Sequence, residues 1–220
     1  MAHHGHEARV LEAMVEACRR LHARNLLAAA DGNVSFRFDD RRIAITPTGV
    51  GKARMEASAM AFLTLEGEIL SGEPSGERLM HLAVYRACPA ARAVVHAHPP
   101  TAIAWSLARP DLDALPDEAM PEVILAAGRI PFAPYARPGT AAMGEVLQPF
   151  LPAHRLMILA RHGALAWGED LEEAVLGMER LEHVAQILKS AHDLGGATPL
   201  PPGEAAALRA MRAAQGPRLR

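Results

Sequence analysis

The sequence predicts an α/β fold, and three observations carry that prediction. Helical and strand patterns alternate along the 220 residues with no break in composition and no internal repeat. Apolar residues make up 50% and charged residues 22%, a balance that supports a sizeable core and excludes intrinsic disorder. Met157-Ile158-Leu159-Ala160 is a continuous apolar run, as expected of a central strand covered on both faces. A single domain over 1–220 is the economical reading.

Each element has its own signal. Leu11, Met14, Val15, Cys18 and Leu21 fall at helical spacing and predict a helix over 7–28. Asp31-Gly32-Asn33 ends it and opens a hairpin of Val34–Phe38 and Arg42–Thr46, turning through Asp39-Asp40. Thr46-Pro47-Thr48-Gly49 is a turn by composition. Strands at Ala61–Thr64 and near Ile69 flank the turn Glu66-Gly67-Glu68, and Ser75 is placed as the N-cap of a helix through Cys88. Ala93–His98 reads as a strand closed by Pro99-Pro100, with a short helix Thr101–Leu107 after it and then a surface loop rich in Pro and Asp. Asp170 opens the longest helix, to about Leu194. Pro199–Pro202 links to an Ala-rich helix at 203–214, whose basic tail is expected to be mobile.

Composition also removes partners. A net charge of −2 gives no electrostatic footprint for nucleic acid or an anionic membrane. No run of about eighteen apolar residues exists to span a bilayer. Met1-Ala2-His3-His4-Gly5-His6 lacks a signal peptide's apolar core, so the expected compartment is the cytoplasm. Cys18 and Cys88 are too few to staple a chain of this size and read as buried thiols.

Eleven histidines are unevenly placed. His3, His4, His6 and His22 lie in or near the first helix, where exposure explains them. His96 and His98 are two apart on a strand, so both project to one face and can chelate one divalent ion. A catalytic zinc site takes three protein ligands and leaves one position open. His162, in Arg161-His162-Gly163 just past the apolar strand, is the third candidate, although a strand-end histidine is more often a hydrogen-bonded rim residue. Glu77 opens a helix, where the dipole favours a carboxylate; beside a metal it could instead move a proton next to a polarised carbonyl. Gly32-Asn33 and Thr48-Gly49 are turn residues that could also offer N–H groups and a hydroxyl to a phosphate.

Gly32-Asn33-Val34-Ser35, Thr46-Pro47-Thr48-Gly49, Pro74-Ser75-Gly76-Glu77, His96-Ala97-His98 and Arg161-His162-Gly163 occur in that order over about residues 8–195. Together they resemble the class II aldolase/adducin-head family, most of all its bacterial L-fuculose-1-phosphate aldolase-like members. The resemblance implies a three-layer α/β/α sandwich around a mixed, largely antiparallel sheet, assembled as a homotetramer, with 196–220 as a tail beyond the core. It implies one Zn2+ per chain, with Mn2+ or Co2+ as substitutes, on His96, His98 and His162, and Glu77 as acid/base. It places a sugar phosphate on Gly32, Asn33, Thr48, Gly49, Ser75 and Gly76, although Gly76 stands where the family often has a second serine. The fuculose-phosphate enzymes also carry a tyrosine in the segment matching Pro121-Glu122 and another in the tail, whereas the two tyrosines here are Tyr85 and Tyr135.

The expected reaction is therefore zinc-dependent cleavage of a ketose 1-phosphate, such as a fuculose, 5-deoxypentulose or methylthioribulose phosphate, to dihydroxyacetone phosphate and an aldehyde. A Schiff-base route has poor candidates in Lys52 and Lys189. The alternative is a metal-dependent decarboxylase of a keto-acid phosphate, since those relatives often keep a glutamate at Glu77. Epimerases of the family carry aspartate there; dehydration and a metal-free interaction module are the remaining readings.

Overall fold

Strand β1 (Asn33–Arg37) pairs antiparallel with β2 (Arg42–Ile45) on one side and, on the other, with β5 (Ala93–Ala97), a strand far along the chain. In this computed structural model, which describes residues 2–219, the β1–β5 pair lies at the centre of an eight-stranded sheet. The side chains of residues 2–4 are outside the description, and with them the expected exposure of His3 and His4. β3 (Ala61–Thr64) and β4 (Ile69–Ser71) extend the sheet beyond β2. β8 (Gly163–Gly168), β7 (Leu156–Leu159) and β6 (Phe132–Ala133) extend it beyond β5. The order is β4-β3-β2-β1-β5-β8-β7-β6, antiparallel throughout except for the β6–β7 pair.

Strand alternation divides the core into two layers. Val34, Val95, Ile158 and Ala166 face α1 (Ala2–Ala23) and α5 (Leu171–Asp193), which contribute Met14, Leu21, Met178 and Leu181. Ile43, Leu63, Val94 and Leu165 face α2 (Arg78–Ala87) and α4 (Ala142–Glu145), which contribute Met80, Leu82 and Met143. The result is helices on both faces of a mixed, largely antiparallel sheet. α3 (Pro100–Ala108) sits with α5 on the first face, where Glu182 accepts hydrogen bonds from the Thr101 and Ala102 amides at its N-terminus. No helix among the described residues is long and apolar enough to cross a membrane.

Several expectations change. The first helix ends at Ala23, because Asn25 and Ala29 take left-handed backbone while Leu26 and Leu27 are buried from a turn. Ser75 is not the N-cap of α2; that position is Glu77, whose side chain makes no cap bond. Ser75 instead accepts from the Glu77 amide through its hydroxyl, so the carboxylate is left to point elsewhere. β8, β6 and α4 have no counterpart in the sequence reading. The tail is also docked. α6 (Glu204–Gln215) is followed by Arg218, which pairs with Asp170 and Glu173, and by Leu219, which is buried against Gly177 of α5.

Candidate active site

The site forms where the end of β5 meets the β7–β8 turn beneath the start of α2. His96 and Val94 share a face, so His96 points to the α2 side, where Glu77 stands. His98 lies one residue past β5, and its amide is fixed by the Leu26 carbonyl at 2.8 Å. His162 is delivered by a tight turn in which Arg161 has φ of 65° and the His162 amide returns to the Leu159 carbonyl. Gly163 permits the close approach of these segments. A Cβ there would stand 2.5 Å from the Ala97 carbonyl oxygen, 2.8 Å from His96 Cε1 and 2.9 Å from His98 Cδ2.

The three imidazoles converge with ring centroids 4.9–5.1 Å apart, and one ligand nitrogen from each lies within 4.8 Å of the others. His96 Nδ1 donates to the Ala164 carbonyl at 2.9 Å, which turns Nε2 toward the cluster, as a lone pair when the ring is neutral and as a donor when it is protonated. His96 Nε2 and His98 Nε2 are 3.2 Å apart. Two nitrogens each about 2.1 Å from one tetrahedral ion would be about 3.4 Å apart, so the donor set fits a divalent cation such as zinc. Burial, and then the charges of His96 and His162, hold His98 down to about 4, which keeps its lone pair free at neutral pH.

Glu77 closes the group: Oε2 is 3.3 Å from His96 Nε2 and Oε1 is 3.2 Å from His162 Nε2. Burial pushes its carboxyl up, but the hydrogen bonds from His162 and His96, the His96 charge and the Asn33 amide together hold it well below the usual carboxylate range. Asn33 Nδ2 donates to Oε2 at 2.8 Å. The other predicted residues line the approach. A bridge between Pro47 and Pro74 sets the Thr48-Gly49 and Ser75-Gly76 turns side by side, with the Ser75 amide on the Thr46 carbonyl. Thr48, Gly49 and Gly76 are exposed, and a Cβ at either glycine would meet nothing within 4 Å. Ser75 is 7% exposed, whereas Gly32 and Asn33 are buried, Gly32 with φ of 70° beside the His96 carbonyl. The Asn33 side chain is therefore committed to Glu77 and does not face the open turns.

Sequence reasoning missed what lies behind Asn33. His81 Nε2 meets Asn33 Oδ1, His81 Nδ1 meets Ser35 Oγ at 2.7 Å, and Ser35 Oγ meets the Tyr85 hydroxyl at 2.8 Å. The available signal was spacing. Glu77, His81 and Tyr85 recur every four residues along α2, and Asn33 and Ser35 alternate on β1.

Comparison with known proteins places the chain in one family and one fold. The family model described as the class II aldolase and adducin N-terminal domain matches residues 12–188. The 3-oxo-tetronate 4-phosphate decarboxylase of Haemophilus influenzae is 34% identical over 182 residues, covering 80% of this chain and 85% of its own length. The L-fuculose phosphate aldolase of Methanococcus maripaludis is 32% identical over 177 residues, covering 80% and 94%. Among solved structures, YgbL of Escherichia coli, assigned broadly as an aldolase, epimerase or decarboxylase, superposes with a TM-score of 0.86 at 31% identity over 92% of this chain and 99% of its own.

Proposed function

The chain belongs to the class II aldolase and adducin N-terminal domain family, and we propose that it is a metal-dependent decarboxylase of a keto-acid phosphate of the 3-oxo-tetronate 4-phosphate class. Relatives 33–34% identical that carry this activity support it over the aldol cleavage expected from sequence. The observation that carries the choice is the lack of a phenol at the site. Among the described residues, Tyr85 is buried and bonded to Ser35, and Tyr135 is 59% exposed; neither hydrogen-bonds to the Glu77–histidine group. Aldol cleavage needs a group to take the proton from the hydroxyl that becomes the aldehyde carbonyl, whereas a carboxylate leaves as carbon dioxide with no proton to remove.

Decarboxylation breaks the bond between the carboxylate carbon and C2. The electron pair passes into a C2–C3 enediolate, carbon dioxide leaves, and C2 takes up one proton to give dihydroxyacetone phosphate. A divalent ion on His96, His98 and His162 would supply Lewis-acid polarisation of the 3-oxo group. The Ala164 carbonyl keeps His96 in the tautomer that presents Nε2. Asn33 occupies Oε2 of Glu77, so Oε1 is the oxygen that carries the proton to C2 and is recharged from water. Thr48, Gly49, Ser75 and Gly76, with the Gly32-Asn33 backbone, would hold the phosphate. The same reading takes zinc as the metal, one per chain, the whole of 1–220 as one catalytic domain, a homotetramer as the assembly and the cytoplasm as the compartment.

The test is a product assay. Zinc-loaded protein given 3-oxo-tetronate 4-phosphate is expected to release carbon dioxide and dihydroxyacetone phosphate in equal amounts, and to leave a panel of ketose 1-phosphates intact. Cleavage of a ketose 1-phosphate to an aldehyde without carbon dioxide release from the acid would return aldol cleavage to first place. Proton exchange into dihydroxyacetone phosphate belongs to both reactions and does not separate them.

A further inference from the structure

We propose that His81 is a positioning residue: it holds Asn33 in the one amide orientation that turns an N–H, and not the carbonyl, toward Glu77. The inference rests on Glu77 being the acid/base, as proposed above.

The hydrogen-bond directions follow from the end of the chain. A carboxylate only accepts, so Asn33 must offer Nδ2 to Glu77 Oε2, at 2.8 Å. Asn33 Oδ1 is then the atom facing His81, and His81 must donate to it from Nε2. The neutral ring has one proton, so Nδ1 is an acceptor and receives the Ser35 hydroxyl at 2.7 Å. Ser35 Oγ accepts in turn from the Tyr85 hydroxyl at 2.8 Å. Every step runs the same way, from Tyr85 to Glu77.

Burial enforces this order. His81 and Ser35 are fully buried and Asn33 and Tyr85 are 2% exposed, so bulk solvent does not reach a reversed amide or the other tautomer. Burial and then the charge of His96 hold the His81 ring down to about 3, so it is neutral at physiological pH. With Nδ1 protonated instead, the Nε2 lone pair would face the Asn33 carbonyl. The amide would turn over, and its oxygen would then oppose Glu77 Oε2. The expected consequence is a misplaced and destabilised carboxylate, with the histidine cluster itself untouched.

Two measurements on the full chain test this. In protein labelled with nitrogen-15 histidine, with the His81 signals assigned by their loss in His81→Gln, the imidazole is expected in the Nε2–H form at pH 7. Observation of the Nδ1–H form overturns the proposal, and this readout is independent of any reaction. In kinetics, His81→Leu is expected to lower kcat about 10- to 100-fold, the usual effect of removing an outer partner, with KM and bound zinc within twofold of wild type. His81→Gln, whose amide N–H can still reach Asn33, is expected to recover most of that loss. Wild-type kcat in His81→Leu, or a Gln variant that folds and binds zinc but is as slow as Leu, overturns the proposal. Wild-type protein inactive on every phosphorylated acid and ketose would count against the function proposed above, while the tautomer would still decide the role of His81.

Discussion

In the proposed function Glu77 combines two properties that usually exclude each other, a strongly stabilised charge and a role in proton transfer. Its stabilisation comes from groups that a bound cation and substrate would rearrange: His96 and His162 turn their lone pairs to a metal, and Asn33 alone keeps its bond. Glu77→Gln keeps the shape and removes the basic oxygen, and is expected to lower kcat about 10²–10⁴-fold with zinc content unchanged. His162→Ala is expected to lose zinc and activity together; full occupancy by metal analysis in that variant would show the third ligand to be misassigned. Thr48→Ala removes one exposed hydroxyl beside the open glycines and is expected to raise KM several-fold at constant kcat. A fall in kcat with KM unchanged would place Thr48 in the chemistry instead. The histidines are legible in the sequence because a two-residue spacing on a strand leaves only one face for both. The commitment of Asn33 to Glu77 is not legible, because it depends on how deeply β1 sits beneath α2. Seen from sequence alone, an asparagine after glycine at a turn is equally suited to a phosphate.

Elements with strong local signals appear nearly where the sequence places them. The strand Ala61–Thr64 matches to the residue, and the helix expected from Asp170 to Leu194 runs from Leu171 to Asp193 with Asp170 as its cap. β8 escapes because Gly-Ala-Leu-Ala-Trp-Gly contains no β-branched residue; its place in the sheet is set by its neighbours β5 and β7. That composition has a reason. β8 passes so close to β5 that Gly163 has no room for a methyl group, and the nearest obstacle is backbone. Gly163→Ala is therefore expected to cost about 1–3 kcal/mol and to weaken zinc binding by prising His96 from His98. Unchanged melting temperature and unchanged zinc affinity would show that the β5–β8 spacing adapts freely. The C-terminal segment is misjudged from sequence for a related reason. A basic, Pro-flanked end looks solvated until Glu173, buried on α5, is seen to accept from the Leu219 amide at 2.7 Å and from Arg218.

At the scale of the whole molecule, acid sensitivity follows from the buried ring under the site. Folding lowers the His81 pKa from 6.5 to about 3, so the folded state refuses a proton that the unfolded chain accepts. Above about pH 6.5 neither state binds it and the ring has no effect on stability. Between about pH 6.5 and 3 the folded state is expected to lose up to about 1.4 kcal/mol per pH unit from this group. Urea unfolding of the metal-free protein at pH 7 and pH 5 would show the loss, and His81→Gln is expected to shrink it; an identical pH dependence in that variant would assign it to other groups.

Lysine placement has a practical consequence. Of the two lysines, Lys52 is 1% exposed, its ammonium donating to the Ala30 and Val50 carbonyls, while Lys189 stands on the surface of α5 beside Asp193. An amine-directed reagent thus meets one lysine side chain on a folded molecule and two on an opened one. Lys189 reacts at once, and a label on Lys52 accumulates only as fast as the segment around it comes apart. Peptide-level mass spectrometry of the label on Lys52 over time would turn a hidden ammonium group into a clock for the opening of the fold.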